Sequence, residues 1–429
     1  MSEHETSPRP SRRQFLQTST GALVGGSLAA SLGMARSVHA AGSDILKVGL
    51  IGCGGRGNGA AVNAMNAEDN VRLTAMADVF PDRLADARKV LQGQLQGKYT
   101  VDDDHAFHGF DAYKKVIDSG VDVVLLCEPP HFRPAHLRAA IEAGKHVFCE
   151  KPVAVDATGV RSVLETTEMA RQKDLSIVSG LCWRYDYGVK ETIKRIQDGA
   201  IGDITGIQEN YLTGTLWHRG RQPEWSEMEY QMRNWYYFTW LSGDHIVEQH
   251  IHSLDKALWL MGDKPPASCF GLGGRQVRTD PKFGHIYDHF AVCYEWPNGV
   301  RTFSYTRQMA GCYGDVDDYV FGSKGQAKIL KNEVNGAEKW RFTGEKPSMY
   351  DLEHKALFAG IRSGKHINNG TYMCYSTLMA IMGREACYTG QNITWEQALE
   401  SKQDLSPKAY EWGNIETPQV AMPGTGKLA

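Results

Sequence analysis

The sequence predicts an α/β fold in which a Rossmann-type, doubly wound parallel sheet precedes an α+β domain with a large, mostly antiparallel open sheet. Three observations support this prediction. An apolar strand at residues 46–51 runs directly into a glycine-rich turn, strand-like and helix-like segments alternate as far as residue 182, and strands dominate after residue 186. We therefore divide the chain into a Rossmann-type domain at residues 44–185 and an α+β domain at residues 186–429.

The first 41 residues are typical of a twin-arginine signal peptide. Arg12 and Arg13 are followed by Gln-Phe-Leu, by a weakly apolar run at residues 20–35 and by small residues up to Ala40. The apolar run is too short and too rich in glycine for a permanent membrane span. The resemblance to such signals implies export to the periplasm as a folded protein, which must then hold its cofactor tightly.

Charge and cysteine spacing exclude several classes of protein. The formal net charge of the 429 residues is −3, which gives no electrostatic case for binding nucleic acid or an anionic membrane. The nine cysteines include no Cys-x-x-Cys pair, so a zinc ribbon is excluded. The chain is long enough for two domains after removal of the signal.

The glycine-rich turn after the first strand has the spacing of a dinucleotide-binding turn. The first glycine permits the tight turn, the second lets the backbone approach a pyrophosphate, and the third lets the following helix pack close to the strand. The helix N-terminus offers free N–H groups to phosphates. A glycine turn without a ligand is the alternative, and the flanking strand and helix favour the nucleotide site. The predicted cofactor-binding residues of the turn are Gly52, Cys53, Gly54, Gly55, Arg56 and Gly57.

The second strand, predicted at residues 71–77, ends at Asp78, which lies 26 residues after Gly52. A carboxylate at this position can accept hydrogen bonds from both hydroxyls of the adenosine ribose and would repel a 2′-phosphate. Asp78 therefore favours NAD over NADP. Arg56 and Arg83 lie near enough in sequence that NADP is not excluded.

The remaining elements follow from apolar periodicity. In the first domain we predict further strands at 121–127, 146–149 and 175–181, and helices at 82–96, 113–118, 134–143 and 158–172. In the second domain we predict strands at 205–212, 268–275, 288–295, 301–308 and 319–322, and helices at 189–198, 246–261, 352–363 and 371–388. Residues 214–235 are predicted to form a long loop over the site, with an aromatic and basic cluster at Trp217, His218, Arg219, Trp225, Arg233 and Trp235.

Residues 144–152, which read Gly-Lys-His-Val-Phe-Cys-Glu-Lys-Pro, resemble the signature of the glucose-fructose oxidoreductase and inositol dehydrogenase family (Gfo/Idh/MocA). The segments 128–131, 180–185, 252–255 and 384–390 are also similar to family motifs, so the resemblance covers nearly the whole mature chain. The resemblance implies an NAD(P)-dependent oxidoreductase for a sugar, a polyol or a sugar derivative. It also implies a homo-oligomer, because family members often pair through the open face of the second sheet.

The family motifs carry over to particular residues of this chain. The resemblance implies that Lys151 and His252 form the acid/base pair, with Glu248 beside them to orient His252 or to bind a sugar hydroxyl. Further cofactor contacts are implied for Glu128, Pro129, His131, Glu150 and Lys151. Substrate contacts are expected from Trp183, Arg184, Tyr185, Asp244 and His245, with interdomain packing as the alternative for the first two.

The spacing of His245, Glu248, His252 and Asp255 places these four side chains on one face of the helix predicted at 246–261. Histidine and carboxylate side chains on one face could bind a metal ion. We expect no metal, because the family chemistry does not need one. Glu248 stands where aspartate is commoner in the family, at a position where relatives bind substrate, so the motif does not name the sugar.

Two other functions use the same residues differently. A glycosidase could use NAD catalytically, by oxidising C3, eliminating the glycosidic oxygen, adding water and reducing the ketone, as in the NAD-dependent α-N-acetylgalactosaminidases of the family. A non-catalytic sensor or scaffold could hold the nucleotide and a sugar. The joint presence of Lys151 and His252 argues against the sensor, because binding alone does not require both.

Overall fold

The computed structural model describes residues 44–428, so the signal peptide predicted at residues 1–41 lies outside the described residues. The described chain forms a six-stranded sheet and a nine-stranded sheet, each accompanied by helices. The first sheet is parallel and the second is mostly antiparallel. The predicted α/β fold is therefore confirmed.

The first sheet has the strand order β3-β2-β1-β4-β5-β6. Its strands are β1 (Leu46–Ile51), β2 (Val71–Asp78), β3 (Ala106–His108), β4 (Val123–Leu126), β5 (His146–Cys149) and β6 (Ile177–Ser179). The chain reverses its direction of travel across the sheet between β1 and β4, which pair in parallel. The loops after these two strands therefore open into one crevice, as in other doubly wound sheets.

Helices cover both faces of the first sheet, and β4 is buried along its whole length. They are α1 (Gly55–Ala67), α2 (Pro81–Leu95), α3 (Ala112–Asp118), α4 (Arg133–Glu142) and α5 (Ala157–Gln172). Local sequence explains where they begin. Pro81 occupies the first turn of α2, where no N–H is needed, and the Asp156 carboxylate accepts a hydrogen bond from Gly159 N at 2.7 Å at the start of α5.

The second sheet has the order β14-β13-β12-β11-β7-β10-β9-β8-β15. Its strands are β7 (Ile204–Thr213), β8 (Ser268–Gly274), β9 (His289–Glu295), β10 (Arg301–Gln308), β11 (Asp315–Gly322), β12 (Gly325–Lys328), β13 (Glu333–Asn335), β14 (Lys339–Arg341) and β15 (Ile393–Thr394). Strands β7 and β10 pair in parallel, and the other neighbours are antiparallel. Along β10, polar residues face the helices, whereas Phe303 and Tyr305 are exposed on the opposite face.

The second half of the chain supplies eight further helices within the described residues. They are α6 (Tyr187–Gln197), α7 (Glu227–Arg233), α8 (Thr239–Ser242), α9 (His245–Glu248), α10 (Ile251–Leu260), α11 (Met349–Ser363), α12 (Gly370–Thr389) and α13 (Trp395–Glu400). Helix α12 is buried on most sides and contacts α5, α10 and β8. Helix α11 instead packs Leu357, Phe358 and Ile361 into the core of the first sheet.

The structure departs from the predicted elements in three places. The single helix predicted at 246–261 is divided into α9 and α10, because the N–H of His250 donates to the carbonyl of His245, five residues back, and widens the turn. The loop predicted at 214–235 contains α7, which Ser226 caps by accepting from Glu229 N at 3.2 Å. The short strands β3 and β12 to β15 were not predicted, since two to four residues carry too little periodicity.

None of the helices between residues 44 and 428 combines the length and the apolar character that crossing a membrane requires.

Candidate functional site

The loops after β1, β2 and β4 open into a cavity of about 620 Å³. Residues from both halves of the chain line it, from Gly52 to Cys182 on one side and from Tyr211 to His252 on the other. A cavity of this size, with apolar walls and a few converging charged groups, is typical of a small-molecule binding site.

The glycine turn forms one wall of the cavity with its bare backbone. Gly52 has a φ of +91°, and a Cβ added there would lie 2.4 Å from the backbone N of Glu128. A Cβ added to Gly57 would lie 1.8 Å from the Gly52 carbonyl oxygen. Both positions therefore require glycine. Gly54 and Gly55 face the cavity, and nothing lies within 4 Å of a Cβ added at Gly55.

Two residues of the glycine turn lie on the side that faces away from the cavity. Cys53 and Gly57 do not line the cavity, and their predicted contact with the cofactor stays a prediction. Cys53 instead ties the turn to β2, because its N–H donates to Asp78 Oδ2 at 2.7 Å and its thiol donates to the Ala77 carbonyl at 3.3 Å. Burial raises the pKa of the Cys53 thiol, which is therefore protonated.

Asp78 reaches the cavity at the carboxyl end of β2, as predicted. Its second carboxylate oxygen accepts from Phe80 N at 2.9 Å. Burial raises the pKa of Asp78, and the backbone N–H groups of Phe80 and Cys53 offset part of that rise. Each oxygen keeps an unused lone pair, so the carboxylate can still accept from hydroxyl groups.

Arg83 lines the cavity beside Asp78 and places its guanidinium 5.3 Å from the centre of the Phe80 ring. Its Nη2 atom is buried and has no hydrogen-bond partner within residues 44–428. Burial lowers the pKa of Arg83, and the charges of Arg219 and Arg233 act in the same direction. Arg83 is thus a half-buried cation whose Nη2 atom has no hydrogen-bond partner in the described chain.

The loop after β4 contributes Glu128 and Pro129 to the cavity. Glu128 Oε1 lies 3.1 Å from His136 Nδ1, and its Oε2 has no partner among the described residues. His131 does not line the cavity, which corrects the expected cofactor contact. Its Nε2 instead lies 2.8 Å from Tyr410 Oη, and burial lowers the pKa of His131 to about 4, so the ring is neutral.

The Glu-Lys-Pro turn after β5 brings Glu150 and Lys151 to the cavity. Glu150 is anchored on both oxygens, by Arg56 Nε at 2.6 Å and by Lys151 N at 3.2 Å. The peptide bond from Lys151 to Pro152 is cis. Because Arg56 belongs to the turn after β1 and Glu150 follows β5, this ion pair holds the two turns together. The Arg56 guanidinium also lies 4.9 Å from the centre of the Tyr350 ring.

Lys151, Glu248 and His252 meet on the wall opposite the glycine turn. Lys151 Nζ donates to Glu248 Oε1 at 2.9 Å and also to the Glu248 carbonyl oxygen. The Nδ1 atom of His252 is buried and has no partner in the described part of the chain. Burial lowers the pKa of His252 well below its usual value, and the Lys151 charge adds to this, so the imidazole is neutral. A cation and a neutral base therefore face one cavity.

Trp183, Arg184 and Tyr185 do not line the cavity, so their predicted substrate contacts stay a prediction. Arg184 forms ion pairs with Asp255 at 2.8 Å and Asp263 at 2.7 Å, which compensate the burial of its guanidinium. Tyr185 donates its hydroxyl to Asn369 Oδ1 at 2.8 Å, and Trp183 packs against the core. The three residues therefore contact other parts of the fold. This agrees with interdomain packing, which was the alternative expected for Trp183 and Arg184.

Asp244 and His245 are also buried away from the cavity, against our expectation. Asp244 has a φ of +75°, and its carboxylate accepts from Tyr287 N at 2.8 Å and from Tyr388 Oη at 2.6 Å. His245 Nδ1 lies 3.0 Å from the same carboxylate. Hydrogen bonding by His245 is the largest influence that lowers the pKa of Asp244 against burial. Both residues support an unusual backbone turn, and their substrate contact stays a prediction.

The four side chains that we predicted on one helical face at residues 245–255 do not point in one direction. Because the chain turns between α9 and α10, Glu248 and His252 face the cavity, whereas His245 and Asp255 bond to other partners. Across residues 44–428, no three histidine, cysteine or acidic side chains are close enough together to hold a metal ion.

Sequence reasoning missed several cavity residues. Tyr211, Gln249 and Tyr350 line the cavity without belonging to a recognisable motif. For Tyr211 the available signal was its place near the carboxyl end of a predicted strand. From the aromatic and basic cluster predicted at 214–235, the structure brings Trp217, Arg219 and Trp235 to the cavity and leaves His218, Trp225 and Arg233 outside it.

The residues present fit a dinucleotide. Gly52 and Gly57 leave no room for a Cβ, and the bare backbone of Gly54 and Gly55 faces the cavity, where a pyrophosphate could approach. Asp78 has acceptors free for a ribose. Arg83 Nη2 and Glu128 Oε2 are buried polar atoms that lack partners in the described chain. A bound group with phosphates and amide or hydroxyl donors would satisfy them.

Comparison with known protein families supports the same conclusion. Residues 46–179 match a model described as oxidoreductase family, NAD-binding Rossmann fold (GFO_IDH_MocA), and residues 189–328 match the GFO/IDH/MocA C-terminal domain. Together these matches cover well over half of the chain.

Curated relatives and solved structures agree with this match. The chain is 27% identical over 365 residues to the inositol 2-dehydrogenase of Burkholderia cenocepacia, covering 81% of this chain and 94% of the relative. It is 25% identical over 296 residues to the 2,7-anhydro-N-acetylneuraminate hydratase of Escherichia coli, covering 68% and 70%. The apo scyllo-inositol dehydrogenase of Lactobacillus casei shares the fold, with a TM-score of 0.62 at 20% identity, over 82% of this chain and 99% of that one.

Proposed function

The chain belongs to the Gfo/Idh/MocA family of NAD(P)-dependent oxidoreductases, and from this premise we propose that it oxidises a hydroxyl group of a sugar, polyol or sugar derivative with NAD. One observation carries the proposal. The Lys151–Glu248 pair and the neutral His252 share a cavity with a glycine turn that fits a dinucleotide. This places groups suited to proton transfer in the same cavity as the dinucleotide turn.

The protein's own groups handle the proton of the substrate hydroxyl. His252 is neutral and lines the cavity, so we assign its imidazole to accept this proton. Lys151 donates to Glu248 and keeps a further N–H that can stabilise negative charge on the substrate oxygen. When bound, the nicotinamide ring supplies the acceptor for the hydride from the substrate carbon.

The choice of NAD rests on Asp78. Its carboxylate stands at the end of β2 with acceptors facing the cavity, where it favours ribose hydroxyls over a phosphate. Arg83 is close enough to bind a 2′-phosphate if the carboxylate is neutralised, so the balance between the two residues decides the cofactor.

We also propose that the protein is exported and keeps its cofactor through many turnovers. The twin-arginine pattern of residues 1–41 supports export to the periplasm. Cell fractionation, with N-terminal sequencing of the mature chain, tests this part. Recovery of the chain with residues 1–41 intact in the cytoplasm would contradict it.

The exposed face of the second sheet supports a homo-oligomer. Phe270, Leu272, Phe303, Tyr305 and Phe321 are all exposed large side chains on strands β8, β10 and β11. A contiguous apolar patch of this kind is typical of an interface between subunits. We propose that two copies of the chain pair through this face.

A redox-neutral reaction is the second candidate function. A curated relative is named a hydratase, and hydration involves no net oxidation. The same acid/base groups could serve a glycosidase that oxidises and later reduces its substrate. In that case the cofactor would return to its starting state at the end of each cycle, which agrees with a retained nucleotide.

One experiment tests the proposal and separates the two candidates. The purified protein is heated without added nucleotide, and any released ligand is identified by mass and by ultraviolet absorbance. The protein is then incubated with NAD and a panel of inositols, hexoses and aryl glycosides. NADH formation supports the dehydrogenase, and sugar release without net NADH supports the glycosidase. A chain that neither contains nor binds NAD or NADP would overturn the proposal.

A further inference from the structure

The chain after α13 crosses from the first half of the protein to the second without forming a helix or strand. We call residues 402–428 the C-terminal strap. On the first half, the N–H of Leu405 donates to Asp156 Oδ2 at 2.9 Å. On the second half, the N–H of Gly424 donates to the Thr389 carbonyl at 2.9 Å. The strap is therefore fastened at both ends, across the opening between the two sheets.

The middle of the strap rests on aromatic residues that line the cavity. The Trp412 ring stacks on Phe80 with centroids 5.5 Å apart and an interplanar angle of 22°, and it lies 4.9 Å from the Phe110 ring. Phe80 and Phe110 both line the cavity. Trp412 thus backs the cavity wall that these two rings form, while its own outer face is exposed.

A second contact fixes the strap two residues earlier. Tyr410 Oη lies 2.8 Å from His131 Nε2, and the Tyr410 ring lies 5.8 Å from the Phe132 ring. His131 is neutral, so this is a hydrogen bond between uncharged groups that does not change near neutral pH. Further along, the Gly413 carbonyl accepts from Met228 N at 3.0 Å and the Thr417 hydroxyl accepts from Gln231 Nε2 at 3.1 Å, both on α7.

These contacts lie at one particular end of the cavity. Phe80 follows Asp78 by two residues, so the rings under Trp412 adjoin the carboxylate assigned to the adenosine ribose. Lys151 and Glu248, by contrast, belong to the part of the cavity where the substrate must react. The strap therefore packs behind the cavity wall at the adenosine end of the site and does not contact the reacting end.

We propose that the C-terminal strap closes the adenosine end of the dinucleotide site, so that bound cofactor exchanges only after Trp412 leaves Phe80 and Phe110. This inference rests on the proposed function, because it assumes that the cavity holds a nicotinamide dinucleotide. Trp412 and Tyr410 are then cofactor-retaining residues. They act on the rate of exchange and not on proton transfer.

The arrangement suits a closure that opens slowly. Aromatic contacts of Trp412 and Tyr410 and hydrogen bonds of Tyr410, Gly413 and Thr417 hold the middle of the strap, and each can break without unfolding either sheet. Because the strap has no secondary structure of its own, its opening requires no helix or strand to melt. A merely structural clasp would also contribute to stability, but it would leave the dissociation rate of the cofactor unchanged.

The test measures the dissociation of NADH from the full mature chain. Protein loaded with NADH is mixed with excess NAD, and the fall in nicotinamide fluorescence gives the rate constant. For Trp412→Ala we expect about a tenfold faster dissociation, and for Tyr410→Phe a smaller increase in the same direction. Met422→Ala is the matched control, since this strap side chain is 64% exposed. Limited proteolysis within the strap should slow when NADH is bound and should slow less in Trp412→Ala.

The outcomes are distinguishable. If wild-type protein binds NADH but Trp412→Ala and Tyr410→Phe both release it at the wild-type rate, the inference is wrong while the proposed function stands. If wild-type protein fails to bind NADH or NADPH, the proposed function is wrong and the inference with it. Thermal melting of each variant identifies any loss of fold. If Trp412→Ala is unfolded, the dissociation rate of the milder Tyr410→Phe variant and its proteolysis pattern decide whether the inference holds.

Discussion

Lys151 Nζ and Glu248 Oε1 lie 2.9 Å apart, although 97 residues separate them in the chain. The lysine follows β5 of the first sheet, and the glutamate ends α9 in the second half of the chain. Their contact therefore ties the nucleotide side of the cavity to the substrate side. It also holds the ammonium group at the cavity, where we propose that a substrate oxygen binds, which makes Lys151 the first residue to test.

Replacing Lys151 with methionine should lower kcat by about 100-fold or more, because the substrate oxygen loses its hydrogen-bond donor. NADH binding, measured by fluorescence titration, should persist. Lys89→Met, an exposed lysine on α2, is the control and should keep wild-type kcat. A Lys151→Met enzyme with wild-type kcat would remove Lys151 from the reaction.

Replacing Gly57 with alanine should destabilise the protein by about 1–3 kcal/mol, because the new methyl group would overlap the Gly52 carbonyl oxygen. Gly55→Ala is the matched control for stability, since nothing lies within 4 Å of its added Cβ. Urea unfolding, followed by circular dichroism, compares the two variants. Equal unfolding midpoints would show that the turn can accommodate the methyl group at residue 57, against this prediction.

Replacing Asp78 with asparagine should shift the preference between NADP and NAD toward NADP by about tenfold, since it removes a negative charge beside Arg83. The amide keeps one acceptor for the N–H of Cys53 or Phe80, so part of the fold's hydrogen bonding survives. Dissociation constants for both reduced cofactors check this, with the exposed Asp86→Asn as control. An unchanged ratio would mean that Asp78 does not select the cofactor.

Stability should fall as the pH drops from about 6.5 to about 4. Burial lowers the pKa of His131, His146 and His285 to about 4 and that of His354 to about 3, from 6.5. Unfolded histidines therefore bind protons in this range while the folded ones do not, so protonation favours unfolding. The full effect is about 3 kcal/mol for each histidine whose pKa is about 4 and about 5 kcal/mol for His354.

The histidine prediction can be tested one residue at a time. His354 stacks near Phe148 at 4.2 Å, and neither of its ring nitrogens has a partner in the described chain. His354→Phe should keep or raise Tm at pH 8 and should reduce the fall in Tm between pH 8 and pH 5. The exposed His108→Asn should leave that fall unchanged. A larger fall in His354→Phe would contradict the assignment.

Replacing Leu272 with lysine should weaken self-association by about tenfold or more, because this side chain is 78% exposed and is one of the apolar residues on the open face of the second sheet. Sedimentation velocity over a range of concentrations measures the effect. Val90→Lys, at an exposed apolar position on α2, is the control. A wild-type chain that sediments as a monomer would refute pairing through this face.

The sequence identified those parts of the site that are formed by consecutive residues, because short motifs specify them. The turn at Gly52 could be predicted because a tight turn and a close helix need glycine at fixed spacing, and Lys151 because its motif is contiguous. The partner of Lys151 could not be predicted. Glu248 was expected to serve His252 or a sugar, and its contact with Lys151 depends on how the two halves pack.

Buried polar networks explain the errors. Arg184 and Asp244 have the composition expected of a sugar site, yet their partners show that they hold the fold together. Arg184 is paired with Asp255 and Asp263, and Asp244 accepts from Tyr388, 144 residues away. A single sequence does not distinguish a polar side chain whose bonds are satisfied internally from one that awaits a ligand.

The position of the strap within the chain has a consequence for biosynthesis. The ribosome makes residues 402–428 after every strand of both sheets, so the glycine turn and Asp78 can be complete before Trp412 has been translated. We expect the nucleotide to enter an open site on the nascent or newly released chain and the strap to close over it afterwards. The order of synthesis would then set the order of loading, with no separate insertion factor required.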